Sequence, residues 1–300
     1  VRKSLAIPGL VLAALGAGEA VARFGLGLGT PPLYQADAEL EYRMVPNQTV
    51  HRFGNLIETN ERGMRSPTLK GDGREIVLVL GDSVPNGGSQ TDQSQLATSM
   101  LNDDRHLFAN MSAGSWGPAN ELAALESNLD LAPAAIVVIL NSEDLADVPT
   151  FAPLDAAHPA QTPAFALLEA VQTYLPRYLL FLKGQATAPQ PPSPEDYADG
   201  RAALEALLSR LDALPVPHCI VLHPTRAEVG GEPSADNREI LSRIQAHSIA
   251  VVDERDLLQA AGGALYRDPI HPNAEGQKLL ARAIGSCLSA AGFTSLAPTP

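Results

Sequence analysis

From about residue 75 onward the chain alternates between two hydropathy patterns. Short unbroken apolar runs, Ile76-Val77-Leu78-Val79-Leu80, Leu107-Phe108-Ala109-Asn110 and Ala135-Ile136-Val137-Val138-Ile139-Leu140, predict strands covered on both faces, as in a parallel sheet. Stretches with helical apolar spacing predict helices near 93–103, 118–130, 164–183, 197–213, 235–246 and 273–291, and two further strands are expected at 218–222 and 249–252. Strands separated by helices of that length imply parallel βαβ units. The expected fold is therefore α/β, a three-layer α/β/α sandwich with a mostly parallel sheet. Pro and Gln cluster between Ala186 and Pro194, but the alternation resumes beyond them. That segment reads as a flexible excursion within one domain.

The first 74 residues break the pattern. Arg2-Lys3 precede an apolar run from Leu5 to about Gly18, and Glu19 and Arg23 follow. A basic end before an apolar stretch is the design of an export signal. The run is short for a membrane span, which needs roughly 20 residues. If Glu19 and Arg23 pair across one helical turn, the helix continues to about Leu28 and can anchor the protein. Ala20-Val21-Ala22 also has the form of a cleavage site. Residues 1–29 thus read as a membrane anchor or a signal peptide, with an ordinary buried helix as the bland alternative. Both leading readings place the bulk of the chain on the exported side of the membrane, since the positive end stays inside. Residues 30–74 are polar and irregular, with short alternating pieces such as Thr49-Val50-His51-Arg52-Phe53 that suggest hairpins. They read as a lead-in packing on a main domain at 75–293.

Composition narrows the function. In 300 residues there are 34 acidic and 21 basic side chains, for a net charge of −13. Nucleic acid is not an expected partner, because such binding begins with phosphate neutralisation by basic clusters. The two cysteines, Cys219 and Cys287, have no metal-ligand spacing. They read as buried free thiols, with a single disulfide as the alternative. No cofactor or metal site is implied.

Candidate chemistry begins where the first strand ends. Ser83 is the first hydroxyl past Gly81-Asp82, at the end of a sheet where ligands gather. A serine nucleophile needs a base, an orienting group and an oxyanion hole. Asp268-Pro269-Ile270-His271-Pro272-Asn273 supplies the first two. An aspartate three residues before a histidine in a tight turn can hold one imidazole nitrogen and leave the other as a general base, while Asn273 caps the helix that follows. Ser115, in Gly114-Ser115-Trp116-Gly117, offers an alternative nucleophile elbow, but it is one residue short of G-x-S-x-G. Gly25-x-Gly27-x-Gly29 follows no strand, so it is no dinucleotide fingerprint. Gly87-Gly88 lacks the lysine of a P-loop.

Gly81-Asp82-Ser83-Val84 after the first strand, a glycine after the second, and Asp268-x-x-His271 before the last helix together resemble the SGNH (GDSL-type) hydrolase family. The resemblance spans about residues 75–291 and implies its flavodoxin-like sandwich. It implies Ser83 as nucleophile, His271 as base and Asp268 as orienting acid. The oxyanion donors would be the Ser83 N–H, the Gly114 N–H and an asparagine amide. Gly114 suits the role physically, since without a side chain its backbone can approach the reacting oxygen. The asparagine is where the chain departs from the family. The Gly-x-Asn-Asp block is represented by Asn141-Ser142-Glu143-Asp144, with Glu143 at the asparagine position. An ionised glutamate only accepts hydrogen bonds, and one oxyanion donor is worth about 3–4 kcal/mol. Asn141 is the favoured substitute, the alternatives being a two-donor hole or a protonated Glu143. Trp116, Glu143 and His223 are candidate substrate contacts, with loop packing or a structural turn as the plainer readings of Trp116 and His223.

The resemblance implies a serine esterase or deacylase working through an acyl-serine intermediate. An exported position in the cell envelope suggests small-molecule or saccharide esters, notably acyl groups on polysaccharide. The alternatives are an O-acyltransferase acting on exported polysaccharide, and a non-catalytic carbohydrate-binding or assembly protein of the same fold.

Overall fold

The computed structural model describes residues 2–155, 157–175 and 191–293. An N-terminal helix, α1 (Arg2–Ala20), leads into a π-helical turn at Val21–Gly25. Two antiparallel hairpins follow, β1 (Tyr34–Asp37) with β2 (Glu41–Met44) and β3 (Thr49–Arg52) with β4 (Asn55–Glu58). The main sheet comprises β5 (Glu75–Gly81), β6 (His106–Ser112), β7 (Ala135–Asn141), β8 (His218–His223) and β9 (Ala250–Asp253). All its pairings are parallel, in the order β6-β5-β7-β8-β9. The chain winds outward from β5 to β6, then returns past β5 to β7 and winds the other way. Such an order opens a crevice at the carboxyl ends of β5 and β7, where ligands of doubly wound sheets bind.

Strand periodicity divides the sheet's side chains between two cores. Leu78, Leu80, Ile136, Val138, Leu140, Ile220 and Leu222 pack with residues of α4 (Pro118–Glu126), α6 (Pro194–Asp212) and α8 (Ala235–Gln245). The alternate residues Val77, Val79, Val137, Ile139 and Val221 pack with α3 (Ala97–Leu101) and α10 (Ala274–Ala290). Continuous apolar runs are what a strand needs when both faces are covered. Of the shorter helices, α2 (Ser83–Asn86) follows β5, α7 (Arg226–Val229) follows β8 and α9 (Arg255–Ala261) follows β9, while α5 (Ala166–Glu169) lies in the long connection from β7 to β8.

Helix boundaries differ from the sequence expectation where local side chains compete with the backbone. The helix expected at 93–103 shrinks to α3, preceded by a 3-10 turn at Gln93–Gln95. There Asp92 accepts from the Ser94 N–H at 3.0 Å and holds the chain out of the α-helical path. The helix expected at 164–183 is described only to Leu175, where α5 runs on as a π-helical turn at Ala170–Tyr174. Its remainder, and residues 186–190 of the Pro/Gln excursion, lie outside the described residues. Asn273 does cap α10, its side-chain oxygen accepting from the Glu275 and Gly276 N–H groups.

The root of α1 is tied into the domain. The Glu19 carboxylate accepts from the Ala166 and Leu167 N–H groups at 3.0 and 2.9 Å, and Arg23 pairs with it one turn later. Ala22, Leu28 and Ala166 form a small buried cluster beneath. Upstream, Ile7, Leu10, Leu12 and Leu15 are exposed. The run Ile7–Gly25 is long and apolar enough to cross a membrane.

Cys219 and Cys287 correct the reading of two free thiols: they form a disulfide. Cys219 faces the α10 side of the sheet and Cys287 lies on the buried face of α10, with Cα atoms 5.7 Å apart, within bonding range. A separation of 68 residues conceals the contact, which exists only once α10 has folded back over β8. The double substitution Cys219→Ala/Cys287→Ala is expected to lower unfolding free energy by about 2–4 kcal/mol, read by denaturant titration against the oxidised protein. An unchanged midpoint would show that the crosslink adds no stability.

Candidate active site

The turn after β5 has room for glycine alone. Gly81 has φ +157°, and a Cβ there would lie 2.7 Å from Pro85 Cγ and 2.9 Å from the Ile139 carbonyl. Asp82 then caps α2, its Oδ1 accepting from the Val84 N–H at 2.9 Å, and Ser83 opens the helix at the carboxyl end of the sheet. Asn86 donates to the Ser112 carbonyl and Asn110 to the Pro85 carbonyl, pinning the turn to β6. Buried Arg65 holds the following loop through the Asn86, Gly88 and Thr91 carbonyls. Burial lowers the pKa of its guanidinium to about 10.

His271 comes to this turn from the loop before α10. Its Nε2 lies 2.8 Å from Ser83 Oγ, and its Nδ1 lies 2.9 and 2.8 Å from the two carboxylate oxygens of Asp268. Asp268 also accepts from the Ile270 and His271 N–H groups. Burial works to raise its pKa, but these donors and the imidazole outweigh it, and the pKa falls. An ionised Asp268 fixes the proton on Nδ1 and leaves Nε2 to accept from Ser83. The loop is braced by Arg267, which donates to the Gly87 carbonyl and the Thr91 hydroxyl.

Behind the serine lies a buried acidic layer. Asp82 Oδ2 sits 3.0 Å from both Ser83 Oγ and Asn141 Nδ2. A serine hydroxyl has one proton, so when it is directed to His271, Asp82 is still served by Asn141 and Val84. Asn141 corrects the sequence reading: its amide N–H groups are already engaged by two carboxylates. Its Nδ2 donates to Asp82 and Asp144, and its Oδ1 accepts from the Glu143 N–H. Both ends of the side chain are consumed in closing the turn after β7. Glu143 projects to the surface, with its pKa raised by partial desolvation and by the Asp82 charge. Deeper in, burial drives the pKa values of Glu121 and Asp144 well above the carboxylate range, helped by the Asp82 charge. Asp147 is raised to about 7 for the same reasons.

Gly114 follows β6 and faces the serine. A Cβ built on it would lie 3.9 Å from Ser83 Cβ and 3.6 Å from His158 Nε2. The Gly114 carbonyl accepts from the Tyr42 hydroxyl at 2.6 Å, and the Tyr42 ring lies over that of His158, with centroids 4.2 Å apart. Tyr34 meets the same imidazole edge-on at 5.0 Å. Tyr34, Tyr42 and His158 were not anticipated from the sequence. The tyrosines belong to the hairpin β1–β2, and His158 lies in an irregular stretch with no periodic signal. Trp116 is wholly buried and donates to the Tyr42 carbonyl, so it packs the loop and does not line a pocket. His223 is likewise no substrate contact, being fully buried between Glu254 and the Ile270 carbonyl. Ser115, the alternative nucleophile, has φ +58°, and the imidazole of His271 bonds Ser83 instead.

One cavity adjoins His271, and a second lies by Tyr42 and His158. The first, about 550 Å³, is bounded by His271, Gly88, Tyr34, Arg52 and Tyr174. The other, about 510 Å³, is bounded by Tyr42, Ser115, His158, Asp147 and Asp155.

No family model matches the chain, and no curated protein does. Among solved structures, it is similar to a member of the lipolytic protein G-D-S-L family from Veillonella parvula DSM 2008 (14% identity, 72% of this chain and 98% of that one, TM-score 0.46). It is also similar to LAE5, an alpha/beta hydrolase enzyme from the metagenome of Lake Arreo, Spain (17%, 73% and 95%, 0.44). A third is a catalytic mutant of Axe2, an acetylxylan esterase from Geobacillus stearothermophilus (18%, 75% and 97%, 0.43). All three are remote likenesses.

The acidic layer makes stability depend on pH. Carboxyls with raised folded pKa values hold protons that the unfolded chain releases. Their contribution to stability is present in full below the unfolded pKa near 4 and is lost as pH rises through the folded values, about 7 for Asp147. Both Glu121 carboxylate oxygens are buried without a hydrogen-bond partner. Glu121→Leu is therefore expected to stabilise the protein by about 1–3 kcal/mol at pH 8 and by less at pH 5. Thermal melts at the two pH values check this, and a lower melting point for the variant at pH 8 would contradict it.

Proposed function

We propose that the chain is a serine esterase of the SGNH (GDSL) kind, anchored at the exported side of a membrane. Its substrates would be ester-linked acyl groups, on polysaccharides or related envelope molecules. The observation that carries the reading is the Asp268–His271–Ser83 hydrogen-bonded line, closed at 2.8 Å between Nε2 and Oγ. Residues 75–293 would form the catalytic unit, with 30–74 packed against it and 1–29 as the anchor.

The chemistry follows from that line. His271 Nε2 takes the Ser83 proton as Oγ bonds to the ester carbonyl carbon, and Asp268 stabilises the imidazolium that results. The tetrahedral oxyanion is held by the backbone N–H groups of Ser83 and Gly114. On collapse the alcohol leaves with the proton from His271, and an acyl-serine remains. Water, deprotonated by the same imidazole, repeats the sequence and releases the acid. A sugar hydroxyl in place of water would make the reaction a transfer.

The packing of Glu19, Ala22 and Leu28 supports an anchor over a cleaved signal. Cutting after Ala22 would remove the carboxylate that caps α5 and a member of the buried cluster.

Two outcomes are expected. Ser83→Ala lowers the hydrolysis of a short-chain aryl ester by at least about 10³-fold, and a fluorophosphonate labels the wild-type protein at Ser83 but not the variant. Equal rates in the two proteins would sink the esterase reading. In cells, the protein remains in the membrane fraction and its amino-terminal peptide still contains Glu19. A mature chain starting at Arg23 would refute the anchor.

A further inference from the structure

We propose that the helical stretch from Phe165 to Leu175 lies in the surface of a lipid bilayer, so that one wall of the cavity reaching His271 is seated in the membrane. The inference rests on the membrane-anchor reading of residues 1–29 and adds a second membrane contact, made by the body of the protein.

α5 and the π-helical turn that continues it have two unlike faces. Phe165, Leu168, Val171 and Leu175 are 62%, 42%, 47% and 41% exposed. They follow one another at steps of three, three and four residues, which places them on one side of a helix. The other side is occupied by the protein. Ala166 and Glu169 are buried, and Glu169 accepts from the Gly29 N–H and pairs with Arg52. Glu169, Gln172, Thr173 and Tyr174 line the cavity that His271 also borders. A row of large apolar side chains left facing outward marks a contact surface.

What covers the row follows from where α5 is fastened. Its first turn is held by the Glu19 carboxylate through the Ala166 and Leu167 N–H groups. The Leu167 side chain lies 3.6 Å from the place a Cβ would take on Gly18. Gly18 and Glu19 are inside the apolar run Ile7–Gly25, and Gly18 lies about 10 Å of helix before its end. A bilayer that surrounds the run therefore reaches the level of the first turn of α5. At the same root Val21, Phe24 and Leu26 are exposed, Phe24 at 85%. Phe53, also exposed, donates its N–H to the Leu26 carbonyl and meets the Tyr174 ring edge-on. The ionised groups here are satisfied by one another and by backbone, Glu19 by Arg23 and two N–H groups, as charges at headgroup level must be. Another protein or a second copy of the chain would have to displace lipid that the run already brings to this level, so the occupant is the bilayer. Seated in this way, the stretch lies roughly 5–10 Å into the boundary of headgroups and acyl chains, and a single helical wall separates lipid from the cavity beside His271.

The test uses the full-length protein in phosphatidylcholine nanodiscs, with the sole tryptophan, buried Trp116, as background. Four single variants carry a second tryptophan: Leu168→Trp and Val171→Trp in the row, Leu15→Trp in the apolar run, and Asp104→Trp at the exposed amino end of the sheet. The discs contain phosphatidylcholine brominated either near the headgroup or near the methyl end of its chain. Leu168→Trp and Val171→Trp should lose about half of the added emission to the shallow bromines and less to the deep ones, as an interfacial helix does. Leu15→Trp should show the reverse order, and Asp104→Trp should not be quenched. If Leu15→Trp is quenched and the two row variants are not, the anchor reading stands and the proposal is overturned. If none is quenched, the anchor reading fails and the proposal with it. Blue-shifted emission from the row variants without quenching would identify a protein partner or a second copy as the occupant, and quenching of Asp104→Trp equal to theirs would show no preferred face. Either result overturns the proposal.

Discussion

The contact between Ser83 Oγ and His271 Nε2 joins residues 188 positions apart, and most of the fold bears on holding it. A hydrogen bond of this kind weakens steeply with misalignment, so both partners must be fixed from independent directions. On the serine side, the close approach of Gly81 to Pro85 and Ile139 forces the chain to turn within one residue of leaving the sheet. On the histidine side, Asp268 gathers two backbone N–H groups and the imidazole, and Arg267 bridges to the loop after Ser83. The α10 helix that follows is packed across the sheet and crosslinked to β8.

How much of this was legible in the sequence depends on the range of the interactions. The strands of the sheet were visible because burial on both faces demands unbroken apolar runs, and Ile76–Leu80 and Ala135–Leu140 have them. Ser83, Asp268 and His271 were visible because each sits at a fixed offset from such a run or from a helix start. Contacts between distant segments left no such trace. Nothing local in Cys219 or Cys287 marks them as neighbours, and nothing near His158 points to Gly114. His223 shows the opposite error. Its position after a strand suggested the crevice, yet Glu254 from the next strand's end and the Ile270 carbonyl enclose it completely. Asn141 was misread for a related reason, since the competing acceptors Asp82 and Asp144 are supplied by the fold and not by its immediate neighbours alone.

The lead-in hairpin belongs to the site in a physical sense. Tyr42 contributes its hydroxyl to the Gly114 carbonyl, its own carbonyl to Trp116 and its ring to His158. The first two contacts lock the loop after β6 from outside the sheet, as Asn86 and Arg65 lock the turn that carries Ser83 from below. The same lead-in carries the chain from the root of α1, where Gly29 donates to Glu169 and Arg52 pairs with that carboxylate. The N-terminal helix, the hairpins and one wall of the larger cavity are therefore mechanically continuous.

In the proposed reaction, a negative charge behind Ser83 helps one half of the chemistry and opposes the other. It would stabilise an imidazolium on His271 and repel the oxyanion that forms at the same moment. Four carboxyl groups at Asp82, Glu121, Asp144 and Asp147 would, if all ionised, set that balance against the oxyanion. Burial changes the count, because desolvation moves Glu121 and Asp144 strongly toward the protonated form and Asp147 toward neutrality. Asp82 is raised as well, with the His271 charge acting to lower it, so it is the member of the layer most directly coupled to the imidazolium. Glu143, the residue that stands where an amide was expected, is also raised, and it turns outward. Its charge is thereby weakened and held at the solvent side. A site can tolerate that many acids beside a developing oxyanion because the low dielectric that would amplify their repulsion also keeps them from ionising.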